Sequence, residues 1–354
     1  MRRRGVSMSS LWESVTQSLT MREILNQPVS WTATLGLDAA ALCAVAPGDE
    51  ELIFTGCGSS YYLARAAASL AREALGVPAS AVPASDVLLV PQQVFSRRRS
   101  RLVAFSRSGE TIETVAACRA ARRFGTTVAV TCAADSSLSA AADASVNLPH
   151  AGDESVVMTQ SFTNMLLAVM AGCAHASGDA ARLAELRMLP ESARAGLPEW
   201  QRTAEEVARD PHWSQAFFFG TGAYYGLACE ASLKLKEMTQ AVTEAYHPLE
   251  FRHGPQSLLT DRTLCVHLRR GGPAGSEDDL MGDVRKRGAL GVTVAPAEAD
   301  FCLGPGIGDW ARAPLYLPPL QLLALARTAL AGLDPDRPRG LTRVVTLSGE
   351  VAGQ

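Results

Sequence analysis

The sequence predicts an α/β protein made of two tandem, doubly wound parallel-sheet domains, each flavodoxin-like with helices on both faces of its sheet (three layers, αβα). Three observations carry that reading. The first is a duplication: residues 53–64 read IFTGCGSSYYLA and residues 217–228 read FFFGTGAYYGLA. The second is an alternation of short β-branched runs with longer Ala-rich segments of helical spacing. The third is length, since 354 residues suit two domains that each bury a core.

In the duplication Gly56 and Gly58 match Gly220 and Gly222 at an offset of 164 residues, Tyr61 matches Tyr225, and Ala64 matches Ala228. Each copy runs apolar stretch, G-x-G, Ala-rich helix, which is the strand–turn–helix opening of a βαβ unit. The first copy continues with a buried-strand run at Leu102 to Phe105. Thr111 to Arg123 then has helical spacing through Ile112, Val115, Ala116 and Ala120, and Thr126 to Cys132 is β-branched and strand-like. The second copy places strands at Leu264 to Leu268 and Gly291 to Val294. The expected organisation is a helical segment over 1–45 interrupted by Pro28, a first domain over 46–180 and a helical linker over 181–205 containing Pro190 and Pro198. A second domain over 206–347 and a tail over 348–354 follow.

Hydrophobic residues make up 47% of the chain and charged residues 19%, which excludes a disordered polymer. Lys and Arg number 33 against 36 Asp and Glu, so a net charge of -3 gives no field for nucleic acid or an anionic membrane. The eight cysteines form no C-x-x-C pair and no cluster with histidine. No metal, cofactor or disulfide framework is expected, and the usage fits a reducing compartment. Arg2, Arg3 and Arg4 precede polar serines rather than an apolar run, and Leu315 to Leu333 contains Pro318, Pro319 and Arg327. A cytoplasmic protein with a buried helix there is expected, rather than an exported or membrane-spanning one.

Two loops and one helix carry candidate chemistry. Ser106-Arg-Ser-Gly-Glu-Thr111 links a strand to a helix, placing the hydroxyls of Ser106, Ser108 and Thr111 beside amides that lack intrahelical partners. The partly positive helix end favours an anion such as phosphate. An ordinary N-cap by Ser108 accounts for the same residues. Gly58, Ser59 and Ser60 follow another strand and can face the same crevice. Neither loop is a Walker A sequence, and no acidic residue lies between 74 and 85, which disfavours a dinucleotide. Glu230, Lys234 and Glu237 share one helix face at i, i+4, i+7, either as a solvated charge stripe or as a proton-transfer set with His253 in the turn-rich segment that follows.

These motifs together (G-C-G-S-S, F-S-R-S-G-E-T, S-L-K-L-K-E and E-F-R-H-G-P) resemble the sugar isomerase (SIS) domain family. More narrowly they resemble double-SIS proteins related to the isomerase half of glucosamine-6-phosphate synthase. Residues 22–28 (REILNQP) and 334–341 (DPDRPRGL) extend the resemblance over nearly the whole chain. It implies a sugar 6-phosphate held by Ser106, Ser108 and Thr111, with Gly58, Ser59, Ser60, Arg107 and Glu230 around it. It implies Glu237 as the base shuttling a proton between C1 and C2, with Lys234 in the pocket. His253 would assist ring opening from the partner subunit of a homodimer.

Departures accompany the resemblance. Arg2 stands where the synthase has a nucleophilic cysteine, so glutamine is not expected as nitrogen donor within this chain. Arg343 replaces a lysine, and a guanidinium is a poor Schiff-base nucleophile. The segment ESVVMTQSFT at 154–163 looks like the tagatose/galactosamine 6-phosphate isomerase–deaminase branch. The expected activity is therefore deamination of an amino-sugar 6-phosphate. A plain aldose–ketose isomerase and a catalytically silent phosphosugar sensor are the alternatives.

Overall fold

The computed structural model describes residues 8–48, 50–95, 99–272 and 275–343. The tail over 348–354 and the arginines at 2–4 lie outside them. Five parallel strands form the first sheet: β1 (Glu51–Gly56), β2 (Ala79–Pro83), β3 (Ser100–Ser106), β4 (Gly125–Thr131) and β5 (Ala144–Asn147). Their order is β2-β1-β3-β4-β5. The second sheet contains β6 (Gln215–Phe219), β7 (Val242–Tyr246), β8 (Thr263–Leu268), β9 (Leu290–Ala295) and β10 (Phe301–Cys302), ordered β10-β9-β8-β6-β7. Read from the other edge, this is the first order repeated. Both are doubly wound sheets, with the chain reversing direction between β1 and β3 and between β6 and β8.

The duplication extends to backbone angles. Gly58 (φ 55°, ψ -125°) precedes the Ser59–Leu75 helix, and Gly222 (φ 62°, ψ -124°) precedes the Ala223–Thr239 helix. An L-side chain is strained at that φ, so the second glycine of each G-x-G is a conformational requirement. These two helices pack directly on each other: a Cβ on Gly226 would lie 2.6 Å from the backbone nitrogen of Ala66. Ser59 meets Lys234 near one end of the pair, and Ser69 approaches Gly222 near the other, so the helices run in opposite directions.

Proline does less to the helices than the sequence suggests. Pro28 lies inside the Leu19–Leu35 helix, and Pro190 and Pro198 lie inside the single Ala180–Arg209 helix. Each proline removes one backbone bond, but tertiary burial holds the helix together across it. Around Pro28, the Trp31 indole donates to the Thr163 hydroxyl at 3.0 Å, and Gln27 donates to Gln321 at 2.8 Å. The Leu317–Ala331 helix is buried along most of its length, and one apolar core continues through both sheets and the intervening helices. Among the described residues no single helix is long and apolar enough to cross a membrane.

Candidate active site

The carboxyl ends of β1 and β3 diverge at the point where the first sheet reverses, and a cavity of about 220 Å³ opens there. Gly58, Ser59 and Ser60 line one side, and Arg107, Ser108 and Thr111 another. Lys234 and Glu237 of the second repeat, Val156 and Met158, and Arg343 complete the wall. Residues from both repeats and from the C-terminal segment thus meet around one space.

The Ser106–Thr111 turn differs from an ordinary cap. Thr111, not Ser108, is the N-cap of the Ile112–Ala121 helix, and its side chain makes no capping bond. Its hydroxyl pairs instead with that of Ser106 at 3.0 Å, and the Ser106 oxygen accepts the Gly109 N–H at 3.1 Å. Ser106 is buried beneath the turn, shaping it from below, while Ser108 and Thr111 reach the cavity. Gly109 (φ 68°) leaves no room for a side chain, because a Cβ would sit 2.2 Å from the Ser136 hydroxyl. The N-termini of this helix and of the Ser59–Leu75 helix both open on the cavity and make it receptive to an anion.

Across the cavity Lys234 is fully buried, which excludes a solvated charge stripe. Its ammonium donates to the Ser59 hydroxyl at 3.1 Å and to the Glu237 carboxylate, and lies 3.5 Å from the Glu230 carboxylate. Burial works against that charge, but Glu230 and Glu237 outweigh it and hold the lysine above its ordinary value. Burial pushes the Glu230 carboxyl up to about 8, with Lys234 opposing. Neither Glu230 oxygen has a hydrogen-bond partner. Glu230 does not line the cavity; it sits behind Lys234, whereas Glu237 faces the open space with its side chain 19% exposed. A carboxylate beside a fixed cation, opposite an anion-binding turn, can move a proton on a ligand anchored by its far end.

Arg107 lines the cavity, and its guanidinium is committed to the backbone around it. Its guanidinium is nearly buried and donates to the carbonyls of Ser155, Val156 and Val157 at 3.1–3.3 Å and of Arg343 at 3.2 Å. Arg343 in turn donates to the Asp153 carbonyl at 2.5 Å. The two arginines fasten the 153–158 segment and the C-terminal segment to the Ser106–Thr111 turn. From the opposite side, Glu23 accepts the backbone N–H groups of Glu154 and Ser155 at 2.6 and 3.0 Å. Burial, with the neighbouring Asp153 carboxylate adding to it, pushes Glu23 up to about 7.

His253 is exposed and does not line the cavity of its own chain. Sequence reasoning missed Glu113 and Cys57, which also line it; Glu113 has one buried oxygen without a partner. An acid in the first turn of the helix after the Ser106–Thr111 loop was the available signal for Glu113. The role of Glu23 had no local signal, because it depends on contacts about 130 residues apart in the chain. Among the described residues, no group of three or more His, Cys, Asp or Glu side chains is arranged to hold a metal.

The SIS domain family model matches residues 49–173 and 212–296. Glutamine–fructose-6-phosphate aminotransferase (isomerizing) of Methanothermobacter thermautotrophicus is 31% identical over 84% of this chain and 52% of its own length. The enzyme of the same name from Xylella fastidiosa (strain Temecula1) is 30% identical over 97% of this chain and 61% of its own length. This chain thus spans about half to three-fifths of those relatives. Among solved structures, glucosamine-6-phosphate deaminase of Thermotoga maritima superposes with a TM-score of 0.80 at 28% identity, covering 93% of this chain and all of its own. Tagatose-6-phosphate ketose/aldose isomerase of Escherichia coli superposes at 0.82 with 26% identity, covering 95% of this chain and 98% of its own.

Proposed function

Since the chain belongs to the SIS domain family and carries two SIS repeats, we propose that the cavity between them deaminates and isomerises an amino-sugar 6-phosphate. The observation that carries this reading is the placement of Glu237, salt-bridged to Lys234, across one small cavity from the Ser108–Thr111 turn. The phosphate is held at the two helix N-termini by the hydroxyls of Ser108, Thr111 and Ser60, which leaves the other end of an open-chain hexose toward Glu237. Glu237 removes the C2 proton of the 2-amino-2-deoxyaldose while O1 takes a proton from solvent, which gives an enolamine. Delivery of the held proton to C1, with loss of one N–H proton to solvent, gives a C2 imine. Water adds at C2 and ammonia leaves, so one hexosamine 6-phosphate and one water become one ketose 6-phosphate and one ammonia. His253 is proposed to reach this cavity from a second subunit, since in its own chain it is remote from it.

A plain aldose–ketose isomerase would use the same proton transfer without nitrogen chemistry. The E. coli isomerase superposes as well as the deaminase does, which favours keeping this second reading. Incubation with glucosamine 6-phosphate and galactosamine 6-phosphate tests the proposal by ammonia release together with ketose 6-phosphate formation. Ketose–aldose interconversion of hexose 6-phosphates without ammonia release would establish the second reading. Binding without any turnover would leave a sensor.

A further inference from the structure

A second cavity, about 350 Å³, lies along the same pair of packed helices. Arg65 and Arg72 of the Ser59–Leu75 helix line it, with Tyr61, Tyr225, His247, and Gly222 at the head of the Ala223–Thr239 helix. No Asp or Glu is part of its wall. The Arg65 guanidinium lies 4.5 Å from the centre of the Tyr225 ring and 5.8 Å from that of Tyr61. It makes no hydrogen bond or ion pair with any described residue. Arg72 is anchored by the Ala79 carbonyl at 3.0 Å. Glu73, the acid beside it in sequence, is turned to Arg182 at 3.6 Å. His247 stacks on Tyr225 with ring centres 4.0 Å apart.

Two guanidinium groups and the positive end of a 17-residue helix therefore converge on one concave space whose own lining carries no carboxylate, Glu277 being bonded to Thr221 outside it. The Arg65 fork matches the geometry of a phosphate. Tyr225 is sandwiched between Arg65 and His247 and holds the guanidinium in place, while the Tyr61 ring suits the C–H face of a sugar or another flat group. We propose that this cavity is a second ligand site for a small phosphate ester, its phosphate on Arg65 and the head of the Ala223–Thr239 helix and its organic part against Tyr61. This site is separate from the cavity holding Glu237 and stands or falls independently of the activity proposed there.

Calorimetric titration of inorganic phosphate and of fructose 6-phosphate into the full chain tests it. The titration uses a Ser108→Ala/Thr111→Val background, which disables the anion-binding turn of the first cavity. Saturable binding of one equivalent is expected to remain. Arg65→Leu should weaken it at least tenfold, and Arg65→Lys less. Ser80→Asp, which puts a carboxylate into the cavity from its exposed rim, should weaken it similarly without altering the packed helix pair. Absence of saturable binding in the background protein, or equal binding by the Arg65→Leu and Ser80→Asp variants, would overturn the proposal. So would an Arg65→Leu effect on sedimentation with none on phosphate binding, which would assign the cavity to contact with a second copy of the chain. Failure of turnover in the first cavity with Arg65-dependent binding intact would refute only the activity.

Discussion

The Ser59 hydroxyl accepts a hydrogen bond from the Lys234 ammonium at 3.1 Å, joining residues 175 positions apart on the leading helices of the two repeats. Through it the turn that begins the first repeat's helix is tied to the carboxylate that closes the cavity from the second, because the same ammonium holds Glu237. Removing this lysine tests the arrangement directly. At pH 9, above the value of about 8 to which Glu230 is raised, Lys234→Met leaves a buried carboxylate without its countercharge and is expected to cost about 3–5 kcal/mol in urea unfolding. The Lys234→Met/Glu230→Leu double variant, which removes both buried charges, should recover at least half of that loss.

Glu237→Gln keeps the size and polarity of the side chain but cannot take a proton from carbon. Turnover should fall roughly 10²–10⁴-fold, the range expected for a general base. The affinity for an amino-sugar 6-phosphate, read by thermal shift, should change less than about threefold. A parallel loss of binding and turnover would make Glu237 a ligand-holding group instead.

Phosphate recognition is read by comparing phosphorylated and unphosphorylated sugars. Thr111→Val removes a hydroxyl at the cavity and also the bond to Ser106 that shapes the turn. The dissociation constant for the 6-phosphate is expected to rise about tenfold, equivalent to one lost hydrogen bond to a charged group. Binding of the unphosphorylated sugar should be unchanged.

Glu23 supplies a pH prediction with a defined sign. Its carboxyl is raised from 4.5 to about 7 in the folded chain, chiefly by burial and secondarily by Asp153. Between those values the folded state holds a proton that the unfolded state has released, so stability falls as pH rises. The contribution is complete below 4.5 and lost above about 7. Glu230, raised to about 8, acts in the same direction over a window that extends higher. Glu23→Gln, which imitates the protonated form, should flatten the decline between pH 5 and 7 by on the order of 3 kcal/mol in denaturant titrations. A variant with the wild-type slope would show that Glu23 is ionised throughout.

The strands at 102–105, 126–132 and 264–268 were legible because a buried parallel strand needs a continuous apolar, β-branched run, and the sequence supplies one in each place. The Ser108 and Thr111 side of the cavity was legible for a similar reason, since loop and helix are adjacent in the chain. Arg107 was grouped with the ligand-binding residues through the family resemblance, and it does line the cavity. The partners of its guanidinium, four backbone carbonyls around 155–157 and at 343 and the Asp153 carboxylate at 3.9 Å, are distant in sequence and left no trace near position 107. Pro28 shows the opposite limit. Local propensity predicts a break there, and packing from other elements overrides it.

From residue order alone come the strand–turn–helix duplication, the two sheets, and the hydroxyl-bearing turn at one sheet edge, all of which depend on periodicity and on glycine's backbone freedom. Whether Lys234 lay in water or inside the protein, which of its two carboxylates faced the cavity, and where Arg65 found itself without an acid were settled by the packing of one repeat on the other. Burial and charge balance are properties of neighbours in space, and those neighbours are brought together only when the chain closes on itself.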